Sequence, residues 1–254
     1  MGKAVKMNVE LLAHTALNHE DMVWPGDMAR VVAISGNICH SPKDVDLLKA
    51  EMRGMTNTTV DRYNAGVLAS GHDSILEHVS FTFLVSGVSR ALLAQLTRHR
   101  IASFSVQSQR YVAQNGFDYV IPPAIANNPK LKHAFEFDLY TMNSNYEFMV
   151  HELIASGRTE QEAREDARFL LPNAAATQLV VTMNARELKH FFSLRCCNRA
   201  QWEIRALADR MRTLVLEVEE GLFKDSGAPC QRGKPCPEGT RSCGHPRSWE
   251  DNNG

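Results

Sequence analysis

The sequence predicts an α+β fold, a single domain in which a small mixed or antiparallel sheet is flanked by several helices. Three observations carry that prediction. Val79, Phe81, Phe83 and Val85 alternate with Ser80, Thr82 and Ser86, the period of two that marks a half-buried strand. Longer segments repeat apolar residues at helical spacing and outnumber the strand-like ones. No internal repeat and no linker splits residues 1–224, and a chain of 254 residues that is 44% hydrophobic has enough length for a substantial core.

The elements follow in order. Residues 6–12 read as an opening strand, and Pro25-Gly26 and Ser41-Pro42 as turn or helix-start signals. Helices are expected over residues 42–53 and 57–70, the second closed by Gly71. The alternating strand comes next. Ser89 then has the chemistry of an N-cap for a helix through Leu92, Leu93 and Leu96 that ends near Arg98. Residues 100–111 are polar and Ser-rich, so they read as a loop that returns to a strand. Residues 118–123 are short and extended. A long helix is expected over 127–156, with Pro129 in its first turn, and a shorter one over 160–170, stopped by Pro172. Residues 178–183 form a buried strand. Residues 184–199 and 201–224 are helical, the last of them as one continuous rod. From Asp225 to Gly254 the chain is rich in Gly, Pro and Cys and reads as a loosely ordered polar tail.

Composition narrows the function. There are 28 Lys and Arg against 29 Asp and Glu, a net charge near −1, which speaks against a protein that coats nucleic acid or an anionic membrane. No apolar run approaches the roughly 20 residues that span a bilayer, and the first fourteen residues are too polar for a secretory signal. A cytoplasmic protein is expected. Six cysteines are too few for a disulfide scaffold of this length.

The near-zero total hides an asymmetry. Forty residues between Glu77 and Asp118 contain no acid, yet hold Arg90, Arg98, Arg100 and Arg110. Residues 167–202 carry Arg168, Arg186, Lys189, Arg195 and Arg199 against the single acid Glu187. Each stretch is +4, so the rest of the chain is −9. Eight of these nine cations are arginine, the side chain suited to forked contact with phosphate or carboxylate. An anion site built from two distant segments explains this better than scattered salt bridges. At 100° per residue, Leu188, Phe191, Phe192 and Trp202 fall on one helix face with Arg195 among them. A guanidinium there must meet an acid or an anionic ligand, or else snorkel to the rim of the core. Arg186 and His190, four apart, share another face.

The run from Arg98 to Tyr111, Arg-His-Arg followed by seven residues and Ser108, resembles the signature of the flavin-dependent thymidylate synthases. Gly71-His72-Asp73-Ser74 through Glu77-His78 is similar to that family's first flavin-binding segment. Asn184 to Leu188, Leu194-Arg195 and Ala200 to Ile204 resemble its C-terminal signature. The resemblance runs from about Lys6 to Lys224. It implies a homotetramer with active sites where subunits meet, and methylation of dUMP at C5 with methylenetetrahydrofolate, FAD as redox carrier and NADPH as reductant. By matching motif positions, Gln95, Arg98, Gln107, Ser108, Gln109 and Arg110 surround dUMP, joined by Arg168 from a neighbouring subunit. Ser74, Arg98, His99, Arg100, Asn184, Arg186 and His190 contact FAD. Arg195 matches the arginine that ionises the uracil at N3, which makes C5 more nucleophilic.

Two positions depart from that pattern. Ser105-Val106 stands where the family often has Asn-Glu, and the Val106 side chain can neither donate nor accept, so no role is carried over. His190 stands where some members have Asn. No Gly-rich phosphate loop is present. Rival readings are a flavoprotein acting on another nucleotide and a non-enzymatic nucleic-acid binding protein. Pro229-Cys230-Gln231 mimics the nucleophile of the cysteine-dependent thymidylate synthases, without any other likeness to them. Cys230, Cys236, Cys243 and His245 admit a three-Cys, one-His zinc set, but lack the tight Cys-x-x-Cys knuckle, so free thiols are favoured and no metal is expected. Cys196 and Cys197 are given no role beyond packing as small apolar residues.

Overall fold

A computed structural model describes residues 2–18 and 26–248. The expected turn at Pro25 and the last six residues lie outside the described residues. Strand β1 covers Asn8–His14, two residues later than expected. Helix α1, Asp27–Ile38, follows Gly26, whose φ of 83° starts it from the left-handed region. No helix was expected there, because Ser35, Gly36 and Asn37 dilute its propensity; burial of Met28, Ala29, Val32 and Ala33 on one face holds it. Helix α2, Val45–Gly54, is capped by Asp44, which accepts from Leu47 N at 3.0 Å. Helix α3, Asn57–Ala69, is capped by Thr56. A 3-10 turn, Asp73–His78, leads into β2, Ser80–Ser89, whose Phe81, Phe83 and Val85 are fully buried as the alternation requires.

Ser89 caps α4, Arg90–Leu96, by accepting from Leu92 N at 3.0 Å. The Ser-rich stretch yields the five-residue β3, Ala102–Val106. The turn α5, Pro123–Ala126, precedes the long α6, Pro129–Ala155, capped by Asn128. Helix α7, Glu160–Ala167, starts with a reciprocal box between Thr159 and Glu162. Strand β4 is Ala176–Asn184, and Asn184 then caps α8, Ala185–Arg195. Helix α8 stops at Arg195, four residues early. Trp202 therefore opens α9, Trp202–Val218, and does not belong to the α8 stripe. The expected single rod is also broken at Glu219, with φ −151° and ψ 76°, before α10, Glu220–Phe223.

The sheet order is β1-β2-β4-β3. Thr15 N bonds Ser80 O near one end of the β1–β2 pair, while Lys6 lies against Gly87 at the other, so these strands run antiparallel. Ala185 N to Val79 O and Arg90 N to Ala175 O give the same direction for β2 and β4. Gly87 has φ 66°, and a Cβ there would sit 2.1 Å from Lys6 O; no other residue fits. The α+β expectation holds.

The chain gathers into two compact units. The first comprises Met1–Asn8, Val85–Arg98 and Phe104–Val180, and the second Val9–Leu84, His99–Ser103 and Val181–Gly254. Phe117, Tyr119, Leu139 and Ala175 centre one core in the first unit. In the second, Phe223 meets Phe81 edge-on at 5.3 Å and Phe192 at 6.2 Å.

The C-terminal segment corrects the expectation of a loose tail. Ala228, Gln231 and Arg247 are buried. The Arg247 guanidinium donates to Asp209 at 2.9 Å and to Cys196 O at 2.7 Å, so a charged clamp replaces the apolar packing that this stretch lacks.

Candidate active site

In the second unit, three residues form one hydrogen-bonded chain. Arg195 Nε donates to His99 Nε2 at 3.1 Å. An acceptor at Nε2 fixes the tautomer: His99 is neutral and carries its proton on Nδ1, which donates to Glu187 Oε1 at 3.0 Å. Burial drives the His99 pKa below its usual value and the Arg195 charge adds to this, while the bond to Glu187 opposes it. Phe191 closes the imidazole off edge-on at 4.9 Å, and His190 lies 6.2 Å away. The local sequence builds this directly. Asn184 caps α8 by accepting from Glu187 N at 2.8 Å, which sets Glu187 in the first turn and Arg195 at the last residue. Arg195 thus meets a neutral histidine, with the expected acid one step further on.

The remaining residues of the flavin set are exposed: Ser74, Arg100, Arg186 and His190. Arg186 pairs with Glu77. Lys189, counted among the cations of this stretch, has its pKa lowered by burial and by Arg232, with Asp73 and Asp225 opposing. Two exposed guanidinia and an exposed imidazole, with Glu187 already engaged, suit the pyrophosphate of a dinucleotide. Glu77 competes for one of them.

In the first unit, Gln95, Gln107, Ser108, Gln109, Arg110 and Arg168 are half-buried and Arg98 is exposed. Gln107 N is held by Gln178 O, and Ser108 Oγ accepts from Arg110 N at 3.2 Å. Arg110 reaches Glu165 at 2.8 Å and lies 5.6 Å from the Tyr111 ring centre, yet its buried Nε has no partner. Arg90, which entered only as a charge, has its pKa lowered by burial and by the charge of Arg168. Adjacent like charges of this kind favour an anion between or beside them. Val106 is half-buried at the end of β3 and Ser105 is exposed. Two groups were given no site role from the sequence: Glu187, counted as the lone acid of one basic stretch, and Arg90, counted as one of the cations of the other.

These features define, as a class, an α+β protein that carries exposed and half-buried arginines in place of a Gly-rich phosphate loop. Residues 22–219 match the family model described as thymidylate synthase complementing protein. A flavin-dependent thymidylate synthase of Nitratidesulfovibrio vulgaris is 49% identical over 238 residues, 93% of this chain and 94% of that one. One from Geobacter sulfurreducens is 42% identical over 240 residues, 94% of each. The crystal structure of a UMP/dUMP methylase, PolB, from Streptomyces cacaoi bound with 5-Br dUMP shares the fold, with a TM-score of 0.71 at 22% identity over 88% of this chain and 96% of that one. The chain belongs to the flavin-dependent thymidylate synthases, and it is an enzyme of that flavin-dependent kind.

Proposed function

We propose that the protein converts dUMP to dTMP, taking the one-carbon unit from methylenetetrahydrofolate, with FAD as the redox carrier and NADPH as reductant. The observation that carries the reading is the Arg195–His99–Glu187 chain. Glu187 holds the His99 proton on Nδ1, and His99 Nε2 in turn holds Arg195 by its Nε. The guanidinium is therefore set in one direction before substrate arrives. A cation so fixed beside a uracil edge favours the ring with negative charge on N3 and O4, which raises electron density at C5. No cysteine nucleophile is needed for that activation. Bound FAD would supply the hydride chemistry of the reaction.

Ser74, Arg98, His99, Arg100, Asn184, Arg186 and His190 hold the flavin. Gln95, Arg98, Gln107, Ser108, Gln109, Arg110, Arg168 and Arg195 hold dUMP, and the partnerless Nε of Arg110 supports an anion there. A cytoplasmic homotetramer fits the exposure of Phe137, Tyr140 and Phe148 on one face of α6, at 62%, 57% and 64%. Residues 1–224 form the catalytic part and 225–254 an appendage to it.

The test is an absorbance spectrum of the purified protein, repeated after anaerobic NADPH with and without dUMP, then tritium release from C5-labelled dUMP on adding methylenetetrahydrofolate. Flavin bleaching that quickens with dUMP, followed by tritium release, is expected. A bleached flavin without tritium release would point to another nucleotide. Salt-sensitive binding to long polynucleotides with no flavin would replace the reading altogether.

A further inference from the structure

The C-terminal segment plays no part in the chemistry above, and its cysteines were set aside because their spacing lacks a tight knuckle. The structure adds a donor that spacing along the segment cannot reveal. Cys197, at the junction between α8 and α9, lines one cavity of about 360 Å³ together with Cys230, Cys236, Cys243 and His245. Its neighbour Cys196 is fully buried beneath the junction, so the pair points in two directions. All of these thiols are free.

We propose that Cys197, Cys230, Cys236 and Cys243 bind zinc as a tetrahedral four-thiolate site that fastens the C-terminal segment to the α8–α9 junction. Four observations support it. Backbone amides donate to two of the sulfurs: His245 N to Cys243 Sγ and Arg247 N to Cys230 Sγ, each at 3.4 Å. Metal-bound sulfur can keep accepting such bonds, which orient it towards the ion. Arg199 and Lys234 line the same cavity and offset the −2 charge of a zinc ion with four thiolates. The supports of the cavity are already fixed, by Arg247 on Asp209 and by Asn198 Nδ2 on His245 O at 2.9 Å. Finally, among the described residues after Asp225, Ala228 is the only hydrophobic residue buried in the core. A segment so poor in apolar contacts is the kind that a structural metal stabilises.

Among the described residues no group of three or more His, Cys, Asp or Glu side chains is placed to hold a metal ion as it stands. The sulfurs line the wall without converging, so metal binding has to draw them together. Four thiols lose four protons as four Zn–S bonds form; no electron moves. His245 is a strut of the site, its N–H on Cys243 and its carbonyl on Asn198.

The full-length protein, purified with reductant, is analysed for metals. Metal-free protein is then titrated with cobalt(II) and followed by difference spectra. One zinc per chain is expected, with the sulfur-to-cobalt charge-transfer band and visible bands of tetrahedral thiolate cobalt. Blocking the thiols of the native protein with a mercurial should release that zinc in step. Cys230→Ser, Cys236→Ser and Cys197→Ser should lose the cobalt spectrum, whereas Cys39→Ser and His245→Ala keep it. Background metal and no cobalt bands while all thiols are reduced would overturn the proposal. So would iron with inorganic sulfide in place of zinc. Loss in His245→Ala but not in Cys197→Ser would overturn the four-thiolate assignment.

Discussion

Arg195 in one unit and Arg110 in the other are both partly buried, yet their surroundings differ. The Nε of Arg195 is tied to a buried imidazole, itself tied to a buried carboxylate. The Nε of Arg110 is buried with no partner, and its outer nitrogen reaches a carboxylate that is 40% exposed. The first arginine is set by the protein alone. The second is left for a ligand to complete. On the proposed function, unevenness of this sort would place rigidity where charge develops in the reaction and adaptability where a phosphate is held.

The largest expected effect tests the rigid side. Arg195→Ala should lower dTMP formation by roughly 10²–10³-fold, about 3–4 kcal/mol in the transition state, while bound flavin stays near the native level. Arg195→Lys should recover little, because an ammonium lacks the Nε that His99 accepts. Turnover normalised to flavin content measures both. A loss under tenfold in the alanine variant would erase the contrast with Arg110.

The same unit contains a second buried carboxylate, and it makes stability depend on pH. Burial pushes Glu219 up to about 7, although Ala29 N donates to it at 3.2 Å. A raised acid means that the folded state holds its proton longer than the unfolded one. The contribution of this group to stability is therefore full below about pH 4.5 and falls by about 3 kcal/mol as pH rises through about 7. Glu219→Gln should flatten that decline and make the protein more stable than the native chain at pH 8. Urea denaturation at pH 5 and pH 8 reads the difference, and equal pH slopes in the two proteins would exclude Glu219 as its source.

Much of this was legible in the sequence, and the failures have physical causes. The Ser89 cap read well, since it needs only local geometry; Thr56, Thr159 and Asn184 cap their helices in the same local way and were not singled out. The demand that Arg195 find a partner was also legible. The partner itself was not, because His99 lies 96 residues away and the acid one contact beyond it. Helix α1 was missed where Ser, Gly and Asn mask a buried face, and the break falls at Glu219, whose carboxylate accepts from Ala29 N, 190 residues away, a contact with no local signal. The order in the C-terminal segment comes from Arg247 on Asp209, an ion pair across 38 residues that no local pattern announces.

Two substitutions put the contrast to the test within the scaffold. Glu187→Ala removes a buried acceptor from His99 and should cost about 1.5–3 kcal/mol of folding stability. Arg110→Ala breaks only a half-exposed ion pair, worth about 0–1 kcal/mol, but should weaken dUMP binding by roughly ten- to a hundredfold. Denaturation midpoints and dUMP titrations should therefore move in opposite proportions in the two variants. Equal stability losses would mean that Arg110 is as structural as the relay.

The smallest effect concerns competition at the surface. Arg186 is proposed to hold the flavin, yet it pairs with Glu77, and both side chains are about half exposed. An exposed pair of this kind is worth about 0.2–1 kcal/mol. Glu77→Gln releases Arg186 from it without changing side-chain size, so FAD should bind about two- to fivefold more tightly at low salt. The gain should shrink at high salt, where the native pair is already screened. Weaker FAD binding would instead make Glu77 itself a flavin contact, and the open donors of this unit would then number one fewer.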